Sequence, residues 1–79
     1  MFCVYILRSK KDKKRYIGMT ENIERRFKEH HKGNVKSTRH RRPFELIYKE
    51  TFITKKEAET RERFFKTGKG REYLKGLNL

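Results

Sequence analysis

The chain has 79 residues, of which 23 are Lys or Arg and 10 are Asp or Glu, for a formal net charge of +13. That length suits one domain and not two. Charged residues make up 42% and hydrophobic ones 33%, and the longest apolar run, Phe2 to Leu7, falls short of both the roughly 18 residues of a membrane span and the roughly 7–15 of a secretory signal core.

Phe2 to Arg8 carries Val4, Tyr5 and Ile6 and reads as a strand. Ser9 to Lys13, with Asp12, reads as a turn, and Arg15-Tyr16-Ile17 resumes β character and stops at Gly18. The two runs make an antiparallel hairpin. Thr20 or Asn22 can cap a helix that begins near Glu21 and ends at Gly33. Asn34 to Arg42 is a polar basic loop, and Pro43 leads into a third strand from Phe44 to about Phe52. Thr54-Lys55-Lys56-Glu57 is a capping box, so a second helix runs from there to about Lys66. Thr67-Gly68-Lys69-Gly70 breaks it, and Arg71 to Gly76 forms a short third helix. The fold class is α/β: residues 1–79 as a single small domain, with a three-stranded, mostly antiparallel sheet flanked by two or three helices.

High charge with low hydrophobicity is also the signature of disorder. Here the apolar residues are patterned, and six Phe and four Tyr supply large buriable surfaces. The one cysteine, Cys3, cannot form an internal disulfide, which suits a soluble protein of the reducing cytoplasm.

So large a positive surplus attracts a polyanion, and nucleic acid is the leading partner. A membrane surface is not expected, because no segment pairs a basic face with a wide apolar one. Asp12 is the only aspartate, poor material for a two-metal site, whose ions sit about 3.5–4 Å apart among several carboxylates. One Cys and three His lack the spacing of a closed zinc site.

Helical angles, at about 100° per residue, single out particular side chains. With Ile23 as origin, Phe27 falls at about +40°, His30 at about −20° and Arg26 at about −60°, while Arg25 falls at about 200°. Arg26 and His30 therefore lie on or beside the stripe that packs on the sheet, and Arg25 faces water. Spacing alone leaves open whether Arg26 snorkels and His30 merely packs. On the second helix, with Ala58 as origin, Phe65 falls at about −20° and Glu62 at about +40°. A carboxylate at the edge of a buried face needs a partner, either Arg61 or a metal ion. Tyr5 and Tyr16 are core aromatics with hydroxyls at an edge, or general bases whose pKa the surrounding cations lower.

These residues resemble the GIY-YIG nucleases, especially the small stand-alone bacterial members. Cys3-Val4-Tyr5 stands where the first signature triplet would be, and Tyr16-Ile17-Gly18 matches the second. Asn22-Ile23-Glu24-Arg25-Arg26-Phe27 is similar to the helix that carries the family's arginine, which falls on Arg26. His30 matches the His or Tyr one turn later. Glu62, followed by Lys66, matches the metal-binding glutamate region. Cys3 and Val4 depart from the first triplet, and Asn78 does not stand where several family enzymes carry a C-terminal asparagine.

The resemblance implies metal-dependent endonucleolytic hydrolysis of DNA phosphodiesters, of low sequence specificity, in repair or turnover. Glu62 would hold a single Mg²⁺ or Mn²⁺. Arg26 would contact the scissile phosphate, Tyr16, alone or with Tyr5, would take the proton of the attacking water, and His30 would assist or fix a tyrosine hydroxyl. Lys36, Arg39, Arg41, Arg42 and Lys66 would follow the nucleic-acid backbone. A protein of this size would act as a monomer or weak dimer. The alternative is a nucleic-acid-binding module that keeps the fold and cuts slowly or not at all.

Overall fold

The computed structural model describes residues 1–79. Strands β1 (Phe2–Ser9), β2 (Arg15–Thr20) and β3 (Phe44–Phe52) form one sheet in the order β2-β1-β3. Both pairings are antiparallel. β1 is central and covered on both faces, which explains its unbroken apolar run. Cys3, Tyr5 and Leu7 face α1 (Ile23–Lys32), packing with Phe44, Tyr16, Ile23 and Phe27. Val4 and Ile6 face the other way, onto Ala58 and Phe65 of α2 (Lys55–Phe65) and Leu74 of α3 (Gly68–Gly76). Two thin cores thus share one strand.

β2 does not stop at Gly18 but continues through it to Thr20. Gly18 pairs directly with Tyr5, and a Cβ there would strike the Tyr5 hydroxyl. The glycine is in the strand because the tyrosine lies over it, so reading it as a terminator was an error of local signal against tertiary cause.

α1 begins at Ile23, two residues later than the first-turn acids suggested. The Asn22 side chain accepts the Arg25 amide at 3.0 Å, and Gly33 closes the helix at φ +82°. The capping box of α2 forms in full: Thr54 Oγ1 accepts the Glu57 amide, and the Glu57 carboxylate accepts the Thr54 amide. α3 starts earlier than expected. Thr67 caps it by accepting the Gly70 amide at 3.1 Å, and Gly70 lies buried against the backbone of Phe64 and Phe65, where a Cβ would clash. Gly70, which looks like part of a break, is the contact that lets α3 fold back on α2.

No helix is long and apolar enough to cross a membrane.

Candidate active site

Tyr5 is buried on the α1 side of the sheet, and its hydroxyl lies 2.9 Å from His30 Nε2. His30 is 0% exposed, as its place on the apolar stripe of α1 requires. Its Nδ1 lies 2.7 Å from Thr38 Oγ1, and Thr38 is itself fully buried. Both ring nitrogens of an internal histidine are therefore engaged, one by a tyrosine from β1 and one by a threonine from the basic loop. A neutral imidazole offers one donor and one acceptor, so the chain Tyr5–His30–Thr38 is satisfied by a single tautomer with matching hydroxyl rotors. Burial, helped by the Arg26 charge, pushes the His30 pKa below its ordinary value and keeps the ring uncharged.

Burial also dominates at Tyr5. It pushes the phenol up to about 12, and the Arg26 guanidinium beside it pulls in the opposite direction without prevailing. The anticipated lowering by nearby cations is outweighed here by desolvation. Arg26 is only partly covered, with 36% of its side chain exposed, and it pairs with Glu29 at 3.1 Å. Its neighbour Arg25 is exposed, in keeping with the helical angles.

Tyr16 occupies the junction. Its ring centroid lies 5.1 Å from that of His30 and 6.4 Å from that of Tyr5. It also lines a cleft of about 820 Å³ that opens between the hairpin and the helices of the opposite face, where Glu62 is the one acidic lining residue. Glu62 sits at the rim of that cleft with 23% of its side chain exposed and pairs with Lys66 at 3.2 Å. Its charge is near enough to Tyr5 to contribute to holding that phenol up.

Arg61 is not the partner of Glu62. It forms a bidentate pair with Glu50 of β3, at 2.8 and 3.2 Å, and its guanidinium lies over the rings of Phe64, Phe65 and Tyr73 at 4.6–4.9 Å. Glu50 also accepts the Tyr48 hydroxyl at 2.6 Å. Burial alone would raise the Glu50 carboxyl, but the bonds from Arg61 and Tyr48 bring it below the usual range. With Arg61 so engaged, the Glu62 carboxylate is left to the cleft. The donor set suits a hard cation that keeps most of its own waters: one carboxylate at a wide cleft, and no group of three His, Cys, Asp or Glu to enclose an ion.

The basic loop divides. Lys36 and Arg39 are exposed. Arg41 turns inward to Asp12, Nε to Oδ2 at 2.8 Å, and donates to the carbonyls of Lys14 and Arg15. Arg41 and the Lys14 amide together hold the Asp12 carboxyl down to about 2. Arg42 folds against Gly33 at the C-terminus of α1 and donates to the carbonyls of Arg39 and His31. Both arginines brace the fold. The loop is also pinned to the hairpin turn, with Ser9 Oγ donating to the Arg41 carbonyl at 2.6 Å and Lys11 Nζ to the His40 carbonyl at 3.1 Å. Its inward residue is Thr38, to which reading the loop as polar and basic assigns no role of its own; the hydroxyl pair Ser37-Thr38 among basic residues is the available signal. The cleft cations Arg8, Lys13, Lys14, Arg15 and Arg71 were likewise missed, although Lys13-Lys14-Arg15 is a visible basic run.

A three-stranded antiparallel sheet that sets Tyr5 opposite Gly18 and Tyr16 nearby, with Arg26 and His30 on the first helix and Glu62 on the second, is the arrangement expected of a nuclease-type domain of the GIY-YIG kind. Residues 1–78 match the sequence pattern of the GIY-YIG catalytic domain, and the chain belongs to the GIY-YIG family. Its relatives include small stand-alone bacterial proteins. It is 47% identical over 64 residues to the UPF0213 protein CPE1444 of Clostridium perfringens, covering 80% of this chain and 68% of that protein. It is 42% identical over 73 residues to the UPF0213 protein SH2523 of Staphylococcus haemolyticus, covering 91% and 88%. Among solved structures it is similar to the solution NMR structure of the UPF0213 protein BH0048 from Bacillus halodurans, with 38% identity, a TM-score of 0.60, and coverage of 98% of this chain and 85% of that one.

Proposed function

We propose that this protein is a metal-dependent endonuclease that hydrolyses DNA phosphodiesters with little sequence preference, in repair or turnover. The observation that carries the reading is the position of Tyr16, which packs on the Tyr5–His30 pair and also lines the cleft of Glu62.

The roles follow from the environments. Tyr5, with its pKa held at about 12, stays a neutral phenol at ordinary pH and positions; it does not act as the base. His30, neutral and bonded at both nitrogens, fixes the Tyr5 hydroxyl. Tyr16, at the cleft, takes the proton of the attacking water. Arg26 presents a planar donor fork to the scissile phosphate, whose charge grows toward the transition state. Glu62 would hold a single Mg²⁺ or Mn²⁺, which when bound neutralises charge at the phosphate and leaving oxygen, with water and phosphate oxygens filling its shell. Lys66, whose ammonium pairs with Glu62, would be displaced by that ion and left to the backbone.

The test is nicking of supercoiled plasmid with Mg²⁺ or Mn²⁺ by wild type and by Glu62→Gln, which keeps size and removes charge. Cleavage by wild type alone, with equal DNA binding by both, is the expected result. Equal cleavage by both would remove Glu62 from the reaction. Binding without cleavage by wild type would favour the non-catalytic module.

A further inference from the structure

The protein's ion pairs take up Arg26, Arg41, Arg61 and Lys66. Five cations that line the Glu62 cleft lie outside all of them: Arg8, Lys13 and Lys14 on the hairpin, Arg15 beside them on β2, and Arg71 on α3. Arg8 on β1 stands between Arg15 of β2 and Glu45 of β3, so one anion faces two cations there and the cleft keeps its positive surplus. Glu62, the one carboxylate at the cleft, already pairs with Lys66. Arg15 is fixed at the cleft, its Nη2 donating to the main-chain oxygen of Leu79 at 2.6 Å.

The basic loop contrasts with this. Arg41 and Arg42 donate to protein carbonyls and to Asp12, so most of their donors are already bound, and of the loop's cations Lys36 and Arg39 stay exposed and outside the ion pairs.

The geometry points to the hairpin–α3 wall of this cleft as a phosphate track, in which Lys13, Lys14, Arg15 and Arg71 hold backbone phosphates flanking the one at Glu62, while the 34–42 loop serves mainly to brace the fold. The inference rests on the nuclease reading for what lies at Glu62, but the track requires only a phosphodiester backbone. Contacts of this kind neutralise phosphates and read no bases.

The measurement is binding of a labelled DNA duplex of about 20 base pairs by fluorescence anisotropy in EDTA, across roughly 0.05–0.25 M salt. Two double variants remove equal charge from exposed positions, Lys14→Gln with Arg71→Gln and Lys36→Gln with Arg39→Gln. Circular dichroism checks that each folds. The cleft pair should lose about 1.8 from the log–log salt slope and about tenfold or more in affinity at 0.1 M salt, and the loop pair less than a third of that slope. Arg15→Lys keeps the charge and lacks the planar donor fork, so it should keep the slope and bind severalfold more weakly. Equal losses for the two pairs, or a larger loss for the loop pair, overturn the track, and wild-type affinity in Arg15→Lys overturns the role of its guanidinium. If wild type nicks plasmid but the pairs lose equally, the track falls and the nuclease reading stands. If wild type never nicks but the cleft pair alone loses binding, the nuclease reading falls and the track stands.

Discussion

The two faces of the sheet draw on alternate residues of one strand and handle polarity in opposite ways. The α1 face buries its polar groups and leaves them uncharged: Tyr5, His30 and Thr38 form a closed hydrogen-bond chain with both ends inside the protein. The α2–α3 face keeps its charges at the rim. Arg61 bridges Glu50 and three aromatic rings, and the cations of the cleft gather around Glu62. The difference teaches that precision and attraction can be separated in a very small domain. A neutral network is rigid and insensitive to salt, so it suits the positioning of a hydroxyl. Exposed charge is strong at a distance and screened by salt, so it suits the capture of a polyanion.

The largest effect should fall on the α1 face. Arg26→Ala is expected to lower single-turnover cleavage by about 10²–10³, the loss usual for a preorganised charge-stabilising donor. Arg26→Lys should not restore it, since a point charge lacks the planar fork. Retention of full rate by the lysine variant would reduce Arg26 to a generic cation.

On the α2–α3 face, Arg61→Ala removes the bidentate partner of a partly buried Glu50 and the cation over Phe64, Phe65 and Tyr73. Urea denaturation should show a stability loss of about 2–3 kcal/mol. A loss below about 1 kcal/mol would place this cluster with ordinary exposed pairs.

On the α1 face, Gly18→Ala forces a methyl into the Tyr5 hydroxyl and should cost about 1–3 kcal/mol by the same measurement. Tyr5→Ala with Gly18→Ala should lose less than the sum of the two single variants, because the hydroxyl, Cζ and Cε1 of the ring all stand in the way of the new methyl. Additive losses in the double variant would break the proposed contact.

The α1 face should also respond to pH at both ends of the range. His30 has a folded pKa below its ordinary 6.5, so the unfolded chain takes up the proton first. Its contribution to stability is present above about 6.5 and lost as pH falls below that value. Tyr5 runs the other way. Its folded pKa of about 12 stands above the ordinary 10.0, so the unfolded chain loses the proton first and stability declines as pH rises from 10 toward 12. Thermal melting against pH should show both limbs, and Tyr5→Phe should flatten the alkaline one. An unchanged alkaline limb in that variant would mean that another group titrates there.

The smallest effect belongs to Arg25→Ala, which should alter the salt slope of DNA binding by no more than about 0.9 and leave the cleavage step nearly unchanged. A loss equal to that of Arg26→Ala would break the register of α1.

Local chemistry wrote much of this protein legibly. The capping box at Thr54, the asparagine cap at Asn22 and the αL glycine at Gly33 act within one helical turn, so their positions can be read directly. The angular spacing of Ile23, Phe27 and His30 determined that a histidine would be buried on α1. The order of strands and helices, and the family to which the two triplets point, were legible for the same reason. What the sequence could not declare depended on partners distant in the chain. Gly18 and Gly70 look like breakers until Tyr5 and the end of α2 are brought against them. Arg41 and Arg42 look like free cations until Asp12 and the C-terminus of α1 claim their donors, and Arg61 looks like the partner of Glu62 until β3 delivers Glu50. A side chain's type and spacing set what it can bind, but which of several competitors it binds is decided by the backbone that brings one of them within about 3 Å.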